Sequence, residues 1–302
     1  MHSLDVHSEI LFNSYMISRV GVTGIKKQAS IVRNGKTNIL PLVIDVAVDL
    51  PSYMKGSHLS RNAEVLAEIV DESLHNPVNS LEDLAKKISL ELLEKHSYAR
   101  HSEVSIDADF FLKRGMRKDK ESLEPFTLHA ISTSTKEGDK IKTSKHIGVE
   151  VLGMTACPCA METCRNFLIK DHSQEEPFLK SIPVISHNQR NRVTLFIEVP
   201  DDKIVNAEDM IDLVESSFSS PTYNILKRID EGRVVWKAHE NPKFVEDVVR
   251  DVLTKVVKKY TDLPDEAHVS VKSVSEESIH KYNAYADRST TMGDLRTKKM
   301  EN

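Results

Sequence analysis

Along NILPLVIDVAVDLP apolar and polar positions alternate one by one. Leu40, Leu42, Ile44, Val46 and Val48 fall on one face, Asp45 and Asp49 on the other. A period of two predicts a half-buried strand. Past KGSHLSR the period lengthens to that of a helix. Two helical stretches follow; the second opens at Ser80 as N-cap, with Asp83 three residues on and Leu81, Leu84, Ile88 and Leu92 on one stripe. EVSIDADF then returns to alternation through Val104, Ile106, Ala108 and Phe110.

The second half repeats this order. RVTLFIEV alternates at Val193, Leu195, Ile197 and Val199, and a helix capped by Asn206 carries Met210, Leu213 and Val214, with Asp209 placed for a capping box. A longer helix is predicted from Asn241 as cap and Pro242 in the first turn, with a stripe of Val245, Val248, Val249, Val252 and Val256. AHVSVKSV closes as a strand. Each half reads strand, helix, helix, strand, an internal duplication of element order rather than of residue identity. The predicted fold class is α+β: two halves, 1–140 and 141–302, each an antiparallel sheet with helices on one face, joined through the polar stretch 136–145. Sheets of this kind leave edges that association can close, so an oligomer is expected.

Composition narrows the function. With 39% hydrophobic and 29% charged residues, the chain of 302 residues has the make-up of a globular protein with a sizeable core. No apolar run reaches a membrane span, and MHSLDVHSEILFNSYM lacks a leader's basic, apolar, small-residue order, so a cytoplasmic location is expected. The net charge of −5 comes without a block of like charge, and a single Trp argues against stacking on single-stranded nucleic acid. A phosphorylated ligand would therefore need a local basic cluster.

All three cysteines, Cys157, Cys159 and Cys164, lie within GMTACPCAMETCRN. Free thiols usually pack as small core residues, but this clustering favours chemistry. Cys157 and Cys159, on a rigid Cys-Pro-Cys turn after a strand, could bind a metal, attack a carbonyl or shuttle protons. Cys164 reads as a core residue. No second cysteine pair exists for a zinc ribbon, so further metal donors would be His, Asp or Glu. His187 stands in SHNQRNR, a polar run that is costly at a strand entrance unless it serves a site. Glu231 follows a basic pair, and Glu246 suits the first turn of its helix through the macrodipole. Glu277 and His280 are spaced so that a helical turn would bring them to one face.

Together these stretches resemble the type IB GTP cyclohydrolases, and within them the archaeal branch that serves methanopterin biosynthesis. The matching pieces are RVGVTGIKK, VDLPSYMKGSHLSRN, GVEVLGMTACPCA, SHNQR, LKRIDEG, ENPKFVEDVVRD and ESIHKYNAYA, which run in family order over about residues 19 to 286. The resemblance implies tandem tunnelling-fold (T-fold) units assembling into barrels, as a homo-oligomer taken as a tetramer, with active sites at subunit interfaces. It implies one divalent metal per subunit, Fe(II) ahead of Mn(II) or Zn(II), held by Cys157, His187 and Glu231. Cys159, His280 and Glu277 would then be catalytic, Glu246 would anchor guanine, and Arg61, Arg190 and Arg192 would be candidates for the phosphates.

The implied reaction opens the guanine imidazole ring of GTP and forms a 7,8-dihydroneopterin phosphate with release of formate. A 2′,3′-cyclic phosphate is implied by the archaeal resemblance; the triphosphate is the alternative. Asn191 replaces a Ser frequent in relatives, and Tyr282 a His. Two other classes rank lower: a guanine- or pterin-binding protein of the same fold without turnover, and a thiol redox or metal-storage module.

Overall fold

The computed structural model describes residues 14–33, 36–117 and 119–297, together with His7 and Ile10. Most of the N-terminal stretch read for a leader lies outside them. The elements are β1 (Ile17–Arg33), β2 (Lys36–Leu50), α1 (Leu59–Leu66) continuing into a π-helical turn (Ala67–Asp71), and α2 (Leu81–Lys95). Next come β3 (His101–Arg114), β4 (Ser122–Glu137), β5 (Lys140–Ala156), α3 (Pro158–Asp171), α4 (Glu176–Ser181) and β6 (Asn188–Glu198). The chain continues through α5 (Ala207–Glu215), β7 (Ser220–Pro221), α6 (Arg228–Glu240), α7 (Val245–Lys259), β8 (His268–Glu276), β9 (Ala284–Thr291) and α8 (Met292–Thr297). Among the described residues nine strands form an antiparallel sheet ordered β1-β2-β3-β4-β5-β6-β8-β9, with β7 paired to β5. The α+β class is thus observed.

Two compact units divide the chain: Met1–Phe110 with Thr127–Ile147 and Glu198–Asp202, and Phe111–Phe126 with Gly148–Ile197 and Lys203–Asn302. In the first unit the alternation of β2 is realised. Leu42, Ile44, Val46 and Val48 are buried, as are Val104, Ile106 and Ala108 on β3 and Leu84, Ile88 and Leu92 on α2. The opposite parity also has uses. Asp45 Oδ1 accepts the Gly24 N–H at 2.7 Å, where a positive φ of 71° fits glycine, and Asp49 Oδ1 accepts the N–H groups of Arg100 and His101 at 2.7 Å each. Ser80 Oγ caps α2 by accepting the Asp83 N–H at 3.1 Å, while the Asp83 carboxylate pairs with Lys145. The stretch 136–145 is not a linker. It is the β4–β5 hairpin, turned at Gly138, which has a φ of 63°.

A buried polar chain also lies in this unit. His96, fully buried, bonds through Nε2 to Asn62 Oδ1 at 2.7 Å and through Nδ1 to Tyr98 Oη at 2.8 Å, and Tyr98 meets Ser57 Oγ at 2.7 Å. Burial first, then the charges of Arg61 and His58, push the His96 pKa down to about 4 from an ordinary 6.5. The unfolded chain therefore takes up this proton at a higher pH than the folded one. Stability is complete above pH 6.5 and is lost progressively as the pH falls towards 4. Thermal unfolding between pH 7 and pH 4.5 should show a steeper fall in Tm for the native chain than for H96Q. Equal slopes would remove His96 from the acid limb.

In the second unit Val193, Leu195 and Ile197 of β6 and the predicted valine stripe of α7 are buried. The helix starts later than predicted, at Val245. Asp247 Oδ2 accepts the Phe244 N–H at 3.0 Å, and Asn241 instead donates from Nδ2 to Phe218 O at 3.2 Å. The fully buried Phe218 ring lies against Gly153, where a Cβ would approach it to 2.1 Å. That close approach fixes the end of β5, from which the site is built. Among the described residues no helix is long and apolar enough to cross a membrane.

Candidate functional site

Several main-chain bonds hold the end of β5 in place. Ala156 donates its N–H to Ser219 Oγ at 3.2 Å and accepts the Lys243 N–H at 3.0 Å. Cys157 donates its N–H to His187 O at 3.0 Å, and its carbonyl accepts the Ser186 hydroxyl at 2.6 Å. Cys157 is the N-cap of α3, with Pro158 in the first turn and the Ala160 N–H pointing at its Sγ at 3.5 Å. The Cys-Pro-Cys piece, read as a rigid turn after a strand, is therefore the start of a helix, and this sets the two thiols apart. Cys157 faces a cavity, whereas Cys159 is exposed on α3. Cys164 is half-exposed, not a core residue, because α3 buries only Met161.

The cavity, about 260 Å³, is lined by Cys157, His187, Gln189, Glu246, Glu277 and His280, with Lys243 and Tyr282 beside them. His187 comes from the entrance of β6, and its Nδ1 lies 2.9 Å from Gln189 Oε1 and 3.8 Å from Glu277 Oε2. Glu246 sits in the first turn of α7. Glu277 and His280 lie in the loop between β8 and β9, not on a helical turn, yet the loop delivers both to the cavity. The His280 ring stacks on Tyr282 with centroids 4.8 Å apart and planes 9° from parallel. A thiol, two imidazoles and two carboxylates on one small cleft supply donors, acceptors and exchangeable protons of different strength.

The remaining predicted residues lie elsewhere. Glu231 is exposed in the first turn of α6. Arg190 is exposed on β6, and Arg192 pairs with Glu150 and Glu276. Arg61, on α1 in the other unit, donates to Lys95 O at 3.0 Å. Among the described residues no three His, Cys, Asp or Glu side chains gather to hold a metal ion. Two of the three implied donors, Cys157 and His187, do share the cavity, and their chemistry suits a divalent transition metal. With Nδ1 of His187 engaged, Nε2 is the nitrogen left to ligate.

Sequence reasoning gave no role to Gln189, Lys243 or Phe244, which line the same cavity. Lys243 Nζ is already held by Ser217 O at 3.0 Å and by Asp251. A larger open groove, about 600 Å³, lies in the first unit, and charges on its wall are engaged in pairs: Lys27 with Asp71 at 2.8 Å and Asp107 with His129 at 2.6 Å. Its size does not compensate for the lack of convergent chemistry.

Comparisons with known proteins identify the family. The family model described as type I GTP cyclohydrolase folE2 matches residues 4–286, and the chain belongs to that family. It is a GTP cyclohydrolase. GTP cyclohydrolase MptA of Methanothermobacter thermautotrophicus is 45% identical over 290 residues, covering 93% of this chain and 91% of that protein. MptA of Methanobrevibacter smithii is 41% identical over 288 residues, with 93% of each chain covered, and MptA 2 of Methanocella arvoryzae is 40% identical over 298 residues, with 96% of each covered. Among solved structures, a uricase from Bacillus fastidious superposes with a TM-score of 0.51 over 97% of this chain and 98% of its own. At 11% identity that likeness speaks for the fold alone.

Proposed function

We propose that this enzyme converts GTP into a 7,8-dihydroneopterin phosphate with release of formate, as the first step of methanopterin biosynthesis, and that the product is the 2′,3′-cyclic phosphate. The observation that carries this reading is the convergence of Cys157, His187, Glu246, Glu277 and His280 on one cleft. The cleft is just under the roughly 300–1,000 Å³ of typical ligand sites, so the base and sugar fill it and the phosphates extend past its rim.

Glu246 accepts from guanine N1–H and the 2-amino group, a pair of donors that adenine does not present. His280 and Glu277, with Cys159, move protons as water adds at C8, the imidazole ring opens, formate departs and the ribose carbons close the pterin ring. Cys157, His187 and Glu231 would hold one divalent metal, Fe(II) in this reading. When bound, it supplies a water acidified towards neutrality. Arg61, Arg190 and Arg192 are proposed for the phosphates, where a guanidinium suits bidentate contact.

The tunnelling-fold barrel would close by association, as a tetramer with active sites at the interfaces. Ile229 and Trp236, 70% and 52% exposed on α6 beside Glu231, support a face that a second copy covers. The test is anaerobic incubation of metal-stripped protein with GTP and Fe(II), Mn(II) or Zn(II), read by pterin fluorescence after oxidation and by phosphorus NMR. A metal-dependent pterin carrying a cyclic phosphate is expected. A triphosphate product would overturn the cyclic assignment, and no pterin with any metal would overturn the reaction.

A further inference from the structure

We propose that Gln189 is a positioning residue: its amide holds the proton of His187 on Nδ1 and so presents Nε2 to the cavity as a bare lone pair. This rests on the reading that His187 is a metal donor. His187 Nδ1 has two oxygens near it, Gln189 Oε1 at 2.9 Å and Glu277 Oε2 at 3.8 Å. A carboxylate so close disfavours an unprotonated nitrogen, which fixes the sense of the bond: Nδ1–H donates and the amide oxygen accepts. The amide must then turn its NH₂ the other way, and there Gln189 Nε2 donates to Thr155 Oγ1 at 3.2 Å.

Below this bond lies a polar chain that keeps the amide from rotating. Thr155 Oγ1 meets Ser275 Oγ at 3.4 Å, Asn191 Nδ2 donates to Ser275 Oγ at 2.8 Å, and Ser273 Oγ donates to Asn191 Oδ1 at 2.9 Å. Thr155, Asn191, Ser273 and Ser275 are all buried, so each bond lost there leaves a polar atom without water to replace its partner. The chain ties β5, β6 and β8 together beneath the cavity, and its upper end is the orientation of one imidazole. It also separates two roles. Because a neutral amide occupies Nδ1, Glu277 is not the imidazole's partner and keeps its oxygens for substrate.

The test uses metal-free full-length protein labelled with ¹⁵N in histidine, with the His187 signals assigned by their loss in H187Q. Two-bond proton–nitrogen spectra should show the proton on Nδ1. Mn(II) binding, followed by electron paramagnetic resonance, should weaken about 10- to 100-fold in Q189L, the range found when an outer partner of a ligand is removed. In the same variant kcat should fall with KM for GTP little changed. Q189E keeps the acceptor oxygen and should restore Mn(II) binding, which a merely structural role would not produce.

A proton on Nε2 in the native chain would overturn the proposal, as would native Mn(II) affinity in folded Q189L. If Q189L does not fold, the native spectrum and Q189E decide by the same criteria. Nδ1 protonation without Mn(II) binding would uphold the tautomer and overturn the metal reading instead.

Discussion

Alanine in place of Cys157 is expected to lower kcat by about 10³-fold or more while the protein stays folded. The structural share of this thiol is small. Its Sγ accepts one weak bond from the Ala160 N–H at 3.5 Å, and replacing an N-cap side chain by Ala typically costs about 1 kcal/mol. The bonds that hold the residue in place, to His187 O and from Ser186 Oγ, use its main chain and survive the change. The chemical share is larger. A metal polarising the reacting centre lowers the barrier by several kcal/mol, and each ~1.4 kcal/mol is a factor of ten in rate. Thermal melting, metal content and kcat measured on one preparation separate the two shares. Native metal content together with activity within tenfold of native, from folded C157A, would remove Cys157 from the donor set.

Much of the frame was legible because its signal is local. The period of two in β2 and the Ser80 cap of α2 depend on neighbours within a few residues, and both stand in the structure. What was misread depends on distant partners. Asn241 has the right residue type for a cap, but the buried carbonyl of Phe218 takes its amide, and α7 begins at Val245. α3 left no trace in the pattern because it buries a single side chain, Met161, and a helix without a stripe has no period to read.

The site divides the same way. The motifs named Cys157, His187, Glu246, Glu277 and His280 of the cleft, but spacing alone misassigned the Glu277–His280 segment, which is a loop. One signal was present and unused. In HNQRNR, Gln189 and Asn191 share a parity, and Arg190 and Arg192 share the other. On a strand the first pair must turn inward if the second turns outward, and the structure buries Gln189 and Asn191. The alternation alone thus places Gln189 on the interior face of β6.

The change Glu246→Gln should lower kcat/KM for GTP by about 10²- to 10⁴-fold, with little loss of stability. Glu246 has two roles to separate. As an acidic residue in the first turn of α7 it favours the helix dipole, an effect of about 0.3–1 kcal/mol at an exposed site. Asp247 in the same turn retains that benefit and keeps its bond from the Phe244 N–H at 3.0 Å. In its proposed role as guanine anchor it would accept two hydrogen bonds to a charged group, each about 1.5–3 kcal/mol, which together give the larger figure.

Glutamine keeps the shape and one acceptor oxygen but places an NH₂ against a donor of the base. The variant therefore loses one bond and leaves a donor facing a donor. The loss should fall on binding as much as on turnover, because the anchor holds the base throughout the reaction. Steady-state kinetics with GTP, and with inosine triphosphate, which lacks the 2-amino group, give the decisive comparison. If Glu246 reads the amino group, native enzyme should discriminate strongly between the two nucleotides and E246Q should discriminate little. Equal discrimination by both enzymes would place guanine recognition on another residue of the cleft and leave Glu246 with its helix alone.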